Sequence, residues 1–168
     1  ANGAAGVRVI NIADPTTPVV SDRVALAGVT MGIAAQVGAL YVANLAGNLS
    51  ILTVRQPGRL ALTGVYHTPG AVWQTVAAGH FLYMLDSLAG QLQIVDATKP
   101  AHLVWAGSFP TANAVQQLLM RGNVAYLVDE AGGLSILDVS QPGRPTQVAF
   151  LRLPSRVTAL TLTAHGLL

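Results

Sequence analysis

No cysteine occurs in the 168 residues. Disulfides and thiolate metal sites are therefore excluded, and cysteine usage carries no information about the redox compartment. Charge is almost as scarce. Charged residues make up 10% of the chain, and nine Lys and Arg against seven Asp and Glu leave a net charge of +2. An average soluble domain is roughly 25% charged. So few charges cannot build the strong field that binding nucleic acid or a membrane surface demands, and neither partner is expected. No signal peptide is visible. The first residues, Ala1–Gly6, match Ala43–Asn48, which lie inside a later repeat, and Ala164–Leu168 stops where other copies continue into a tyrosine. Both ends read as cut, and the chain as a piece of a longer protein. No G-x-S-x-G, phosphate-binding loop or EF-hand loop is present. His67, His80, His102 and His165 show no metal-ligand spacing, so neither a metal nor a cofactor is expected.

What is abundant is apolar and repeated. Residues 92–100, LQIVDATKP, are one of four copies of a short phrase. The others run from Val7 to Pro15, Leu49 to Pro57 and Leu134 to Pro142. The four prolines step by 42, 43 and 42 residues. Such a period fits a four-stranded propeller blade or a paired-helix solenoid. Local chemistry decides. The repeated runs are five to seven residues long, rich in β-branched side chains, and bounded by Gly90 and Pro100 or by Gly132-Gly133 and Pro142. These are strand signals. No copy offers two Gly- and Pro-free segments long enough for a helix pair. Val24–Ala46 alone resembles a membrane span, with Gly28 and Gly32 in a GxxxG spacing. Its repeat equivalent at 111–129 carries Asn113, Gln116, Gln117, Arg121 and Asn123 and could not cross a bilayer, so no span is expected here.

The expected unit is a blade of four strands. In the copy at 70–109, strand a covers Val72–Ala78 and strand b Phe81–Leu85. Strand c covers Gln91–Asp96 and strand d His102–Phe109. Further units are expected at 28–67 and 111–153, with a c–d half at 1–26 and a lone strand a at 156–163. Tyr41, Tyr83 and Tyr126, at one phase of strand b, are expected to pack between blades. Asp96, Asp138 and Asn11 are placed to accept backbone N–H groups in the c–d turn, and Thr53 more weakly. Asn44, Asp86 and Asp129 open the b–c turn, and Gly47, Gly90 and Gly133 are expected to supply positive φ in or near it.

These residues resemble a known family. Leu92-Gln93-Ile94-Val95-Asp96 and Leu134-Ser135-Ile136-Leu137-Asp138, each followed by a proline four residues on, are similar to the LVIVD repeat, and so is the b-strand pattern Gly122–Asp129. Thr53 and Asn11 depart from the pattern, replacing its Asp. The resemblance implies an all-β propeller and, because many such proteins lie at the cell surface, an extracellular or surface location. It implies no shared catalytic residues, and fold alone does not supply a function.

A propeller sorts its loops onto two ends. One would carry His67, Trp73, Asp86, Asn113, Asp129, Glu130 and Arg156. The other would carry Asp14, Arg55, Arg59, His80, Lys99, Arg121 and Arg144. The second end reads as a basic docking face, with Arg55, Arg59, Lys99, Arg121 and Arg144 as its cations. Trp73, Asp86, Asp129, Glu130 and Arg156 form the ligand-binding set, with Trp73 able to stack on a sugar at the channel mouth. Trp105, on an outer strand, reads as packing. The reading favoured is a non-catalytic propeller scaffold, four repeat units of a larger ring, that binds a protein partner or further copies of itself. A sugar-binding or enzymatic propeller centred on Trp73 is the alternative.

Overall fold

The computed structural model describes every residue except 37, 57, 87–88, 158–159, 164–165 and 167–168. The marker Pro57, His165 and the middle of the b–c turn at 87–88 therefore lie outside the described residues, as does the centre of the strand expected at 156–163. Among the described residues there is no helix. Fourteen antiparallel strands form three four-stranded sheets and one two-stranded sheet. The two-stranded sheet pairs β1 (Val7–Asn11) with β2 (Val19–Val24). The next holds β3 (Thr30–Gln36), β4 (Ala39–Asn44), β5 (Asn48–Gln56) and β6 (Arg59–His67). Then come β7 (Val72–Ala78), β8 (Phe81–Asp86), β9 (Gln91–Asp96) and β10 (Val104–Pro110). The last is β11 (Val115–Arg121), β12 (Val124–Asp129), β13 (Gly133–Asp138) and β14 (Thr146–Arg152). Within every four-stranded sheet the strands follow chain order. They are blades of a β-propeller.

Burial explains the unbroken apolar runs. The central strands are covered on both faces, so Leu82–Leu85 on β8 and Leu92–Val95 on β9 are wholly buried, whereas the outer strand β14 is exposed along its length. Blades stack through their sheet faces. Tyr41 and Ile51 meet Leu82, Met84 and Val95 in one core, and Tyr83 and Ile94 meet Leu118, Leu127 and Leu137 in the next. Tyr41 and Tyr83 thus pack between blades as expected, whereas Tyr126, on the last blade, is only half-buried. The inner strands β3, β7 and β11 pack side by side, and β2 lies against β6.

Two repeating bonds sort the loops. Thr68, Thr111 and Leu153 donate their N–H groups to the carbonyls of Gly47, Gly90 and Gly132, so the d–a and b–c loops share one end. Ala97 and Val139 donate to His80 and Asn123, which joins the c–d and a–b loops at the other. In the last b–c turn the left-handed residue is Gly132, with φ 84°, and not the expected Gly133. Gly133 already belongs to β13, where an added Cβ would lie 2.5 Å from the Asp129 carboxylate.

Each outer strand carries one extra residue. Ser21, Thr63, Ala106 and Val148 are bulged against strand c, 42, 43 and 42 residues apart. The bulge keeps step with the prolines, so it belongs to the repeat.

Candidate functional site

The repeated phase of the turns is set by side-chain acceptors. At the b–c end, Asn44 Oδ1 accepts from the N–H groups of Ala46 and Asn48, both at 3.0 Å, and its amide donates to the Ala27 carbonyl at 2.8 Å. Asp86 does the same work with one oxygen on the Ala89 N–H at 2.9 Å and the other on the Gln93 amide at 2.7 Å. Asp129 Oδ1 takes the Ala131 and Gly133 N–H groups at 2.9 and 2.7 Å, and Oδ2 takes the Asn113 amide at 2.9 Å. All three side chains are buried. Burial alone would raise the Asp129 carboxyl. The donors Asn113, Gly133 and Ala131, with the charge of Arg152, outweigh it and hold the group below its usual range.

At the opposite end Asp96 and Asp138 close their turns through the N–H groups of Thr98 and Ser140, at 2.7 and 2.8 Å, and Asn11 through Ala13 at 2.9 Å. Hydrogen bonds from Thr98 and Ser140 lower both carboxyls. The Thr53 copy differs. Its strands β5 and β6 run on to nine residues each, so that Gln56 faces Arg59 and the hairpin lengthens where the other copies turn.

The aromatic and charged candidates are placed as follows. Trp73 is the bulged residue of the inner strand β7 and is 47% exposed. Asp86 and Asp129 end β8 and β12 at the same loop end, and exposed Glu130 follows Asp129 with its N–H on the Ala114 carbonyl. Arg156 is exposed beyond β14. Of this set, the bonds just given engage Asp86 and Asp129 within their own blades. On the other end Arg55, Arg59, Lys99, Arg121 and Arg144 are all exposed. Arg59 pairs with Asp22 at 3.7 Å, and Arg121 donates to the Thr163 carbonyl. Asp14, Asp22, Asp96 and Asp138 lie at the same end, so its charge is mixed. Trp105 is 57% exposed on β10, which corrects the expectation that it packs. It lies with Val104 in the exposed first part of the outer strand, ahead of the buried Gly107.

Sequence reasoning passed over one device. The side-chain amide of Gln74 reaches the next blade and bonds both backbone groups of Leu118, receiving its N–H at 2.8 Å and donating to its carbonyl at 3.0 Å. Gln117 repeats this on Leu160 at 2.6 and 2.9 Å. The signal was there in two glutamines 43 residues apart at one phase. It is masked in the first full blade by Gly32, whose Cβ would come within 3.1 to 3.4 Å of the β7 backbone.

Among the described residues no three of His, Cys, Asp and Glu gather as a metal site, and no helix is long and apolar enough to cross a membrane. The sequence model of the LVIVD repeat matches residues 69–111 and 113–150. The chain carries LVIVD repeats. The matched segments span the second and third four-stranded blades, the two whose c–d turns keep Asp96 and Asp138. No curated protein matches the LVIVD-repeat chain. Solved structures share its fold at low identity. A protein from Lactobacillus plantarum superimposes with a TM-score of 0.81 at 18% identity, over 96% of this chain and 55% of the other. A Bacteroides fragilis protein provisionally described as a 6-phosphogluconolactonase gives 0.77 at 14%, over 96% and 56%. The periplasmic gluconolactonase of Pseudomonas aeruginosa gives 0.68 at 24%, over 84% and 49%. The LVIVD-repeat chain thus spans about half the length of these structures.

Proposed function

We propose that this LVIVD-repeat arc is a non-catalytic scaffold in a secreted or surface protein or a larger assembly, and that it acts by protein–protein contact through its uncovered blade faces. The observation that carries the reading is Ile10. Its equivalents on the later c strands, Leu52, Val95 and Leu137, are fully buried against the preceding blade, whereas Ile10 is 54% exposed. Tyr126 and Ile136, at the other end of the arc, are half-buried where Tyr41, Tyr83, Ile51 and Ile94 are buried. Apolar groups shaped to fit a neighbouring blade and left in water mark an interaction surface. A propeller neighbour, on further chain, on a partner or on a second copy, presents the matching face. The solved structures, about twice as long, accommodate further blades.

Light scattering after size exclusion at micromolar concentration tests this. The expected result is a species larger than one chain, shifted toward the monomer by Ile10→Glu. A wild-type chain that stays monomeric and monodisperse overturns it.

A second reading is favoured by Trp73. A half-exposed indole on the bulge of an inner strand is a surface on which a sugar ring can stack, and two of the similar structures are described as lactonases. In that reading Trp73, Asp86, Asp129, Glu130 and Arg156 line a channel-mouth site. A glycan array probed with wild type and Trp73→Ala checks it, with wild-type binding lost in the variant.

A further inference from the structure

The second and third full blades differ on one sheet face. In the second, strand c presents Gln91 and Gln93 opposite Pro110 and Ser108 of strand d. In the third, the same register places Gly133 and Ser135 opposite Arg152 and Phe150. Bulk has moved from the centre of the blade to its outer strand. In the second blade the long Gln93 side chain is fully buried and ends on Asp86 Oδ2. In the third, Ser135 is too short to fill that space, and the bond to Asp129 Oδ2 comes instead from Asn113 on the d–a crossover.

The result is a cleft of about 280 Å3 between the two blades, with Phe109, Asn113, Asp129, Ser135, Phe150 and Arg152 on its walls. It lies just below the roughly 300–1,000 Å3 of sites for drug-sized ligands, a size suited to a single ring. Its two phenyl rings come from different blades and offer apolar surface. Its polar groups are of mixed sense. Asp129 accepts, Arg152 donates, and Asn113 and Ser135 do both. A flat apolar ligand would leave unused the bonding capacity these groups keep beyond the bonds Asp129 makes to Asn113 and its own turn, and a simple ion would waste the rings. A pyranose, with apolar C–H faces and a rim of hydroxyls that donate and accept, satisfies both. We propose that the cleft between the second and third full blades binds a single pyranose ring, with Phe109 and Phe150 against its faces and Asp129, Asn113, Ser135 and Arg152 on its hydroxyls.

This cleft shares Asp129 with the channel-mouth set but does not include Trp73, and it is independent of the scaffold reading. The low-lying carboxyl of Asp129 keeps it an acceptor across neutral pH. Substituting the sibling residue closes the cleft, because Ser135→Gln restores the side chain that fills the second blade.

Amide NMR titration with glucose, galactose, mannose, N-acetylglucosamine and glucuronic acid tests the proposal. At least one sugar is expected to shift the amides of Ala112, Asn113, Leu134 and Ser135, with a Kd on the order of 1 mM, about 4 kcal/mol of binding. Ser135→Gln is expected to keep the folded spectrum and weaken binding at least tenfold. Phe150→Ser, the other sibling exchange, is expected to weaken it as well and serves if Ser135→Gln fails to fold. Trp73→Ala is expected to bind like wild type. The proposal is overturned if none of the five sugars moves those amides, if a folded sibling exchange binds as tightly as wild type, or if Trp73→Ala abolishes the shifts.

Discussion

Asn44, Asp86 and Asp129 hold one phase of the repeat, yet each satisfies its second atom differently. Asn44 donates to a carbonyl, Asp86 accepts from Gln93, and Asp129 accepts from Asn113. The side chain at this phase and its partner are matched in hydrogen-bonding sense. Asp129→Asn should therefore cost only about 1 kcal/mol at pH 7, because Asn113 can turn its amide to present oxygen. The pH profile is more telling. Asp14, Asp22, Asp96, Asp129 and Asp138 all lie below their ordinary carboxyl range, held there chiefly by hydrogen bonds. A carboxyl lowered on folding stabilises the native state above its unfolded value, near 4, and that contribution is lost as pH falls through the folded value. The urea midpoint of wild type should thus be flat between about pH 5 and pH 7 and fall below pH 4. The gap to Asp129→Asn should narrow over the same window, since Asn does not titrate. A gap that is constant from pH 7 to pH 2.5 would contradict the assignment.

Elements in this chain are joined by close backbone approaches as well as by the apolar side chains between blades. Gly107 on β10 faces the c–d turn of the next blade, and a Cβ there would sit 2.2 Å from the Pro142 carbonyl oxygen. Backbone cannot yield as a side-chain tip can, so Gly107→Ala should lower stability by about 1–3 kcal/mol, read as a fall in the urea midpoint. Gln74→Ala removes both bonds to Leu118 and should cost about 1–2 kcal/mol without changing the fold. Strand boundaries were largely legible in the chain, because a blade's b and c strands are continuous apolar runs and its turns carry Asp, Asn, Gly and Pro. Strands β7 and β9 fall at Val72–Ala78 and Gln91–Asp96 as expected. The bulges at Ser21, Thr63, Ala106 and Val148 were not, because four unlike residues share a position fixed by strand twist and not by side-chain type. The inter-blade cleft escaped for a related reason. It is made by what Gly133 and Ser135 lack, and a search for charge and aromatics looks past small residues.

At the scale of the molecule, each blade touches its neighbours and little else. Stability in such a stack is close to a sum of blade terms and blade–blade terms, so it need not be uniform along the chain. The two contacts between four-stranded blades are the best furnished. One joins Tyr41, Ile51, Leu82, Met84 and Val95, and the other joins Tyr83, Ile94, Leu118, Leu127 and Leu137. The contact of β1 and β2 with the next blade rests on a smaller group, Val7, Leu26, Val42 and Leu52, plus the Asp22 bonds to Leu60 and Arg59. At the other end β14 is exposed throughout and joined only by its pairing with β13 among the described strands. Native-state hydrogen exchange should follow that order. Amides of β8 and β9 should be the slowest, exchanging through opening of the whole stack. Those of β4 and β5 should come close behind. The β1–β2 pair and β14 should exchange at least tenfold faster, and a partner seated on the Ile10 face should slow β1 first. Uniform protection across all four sheets would mean that the arc unfolds as one unit, and that its end faces are better covered than Ile10 and Tyr126 indicate.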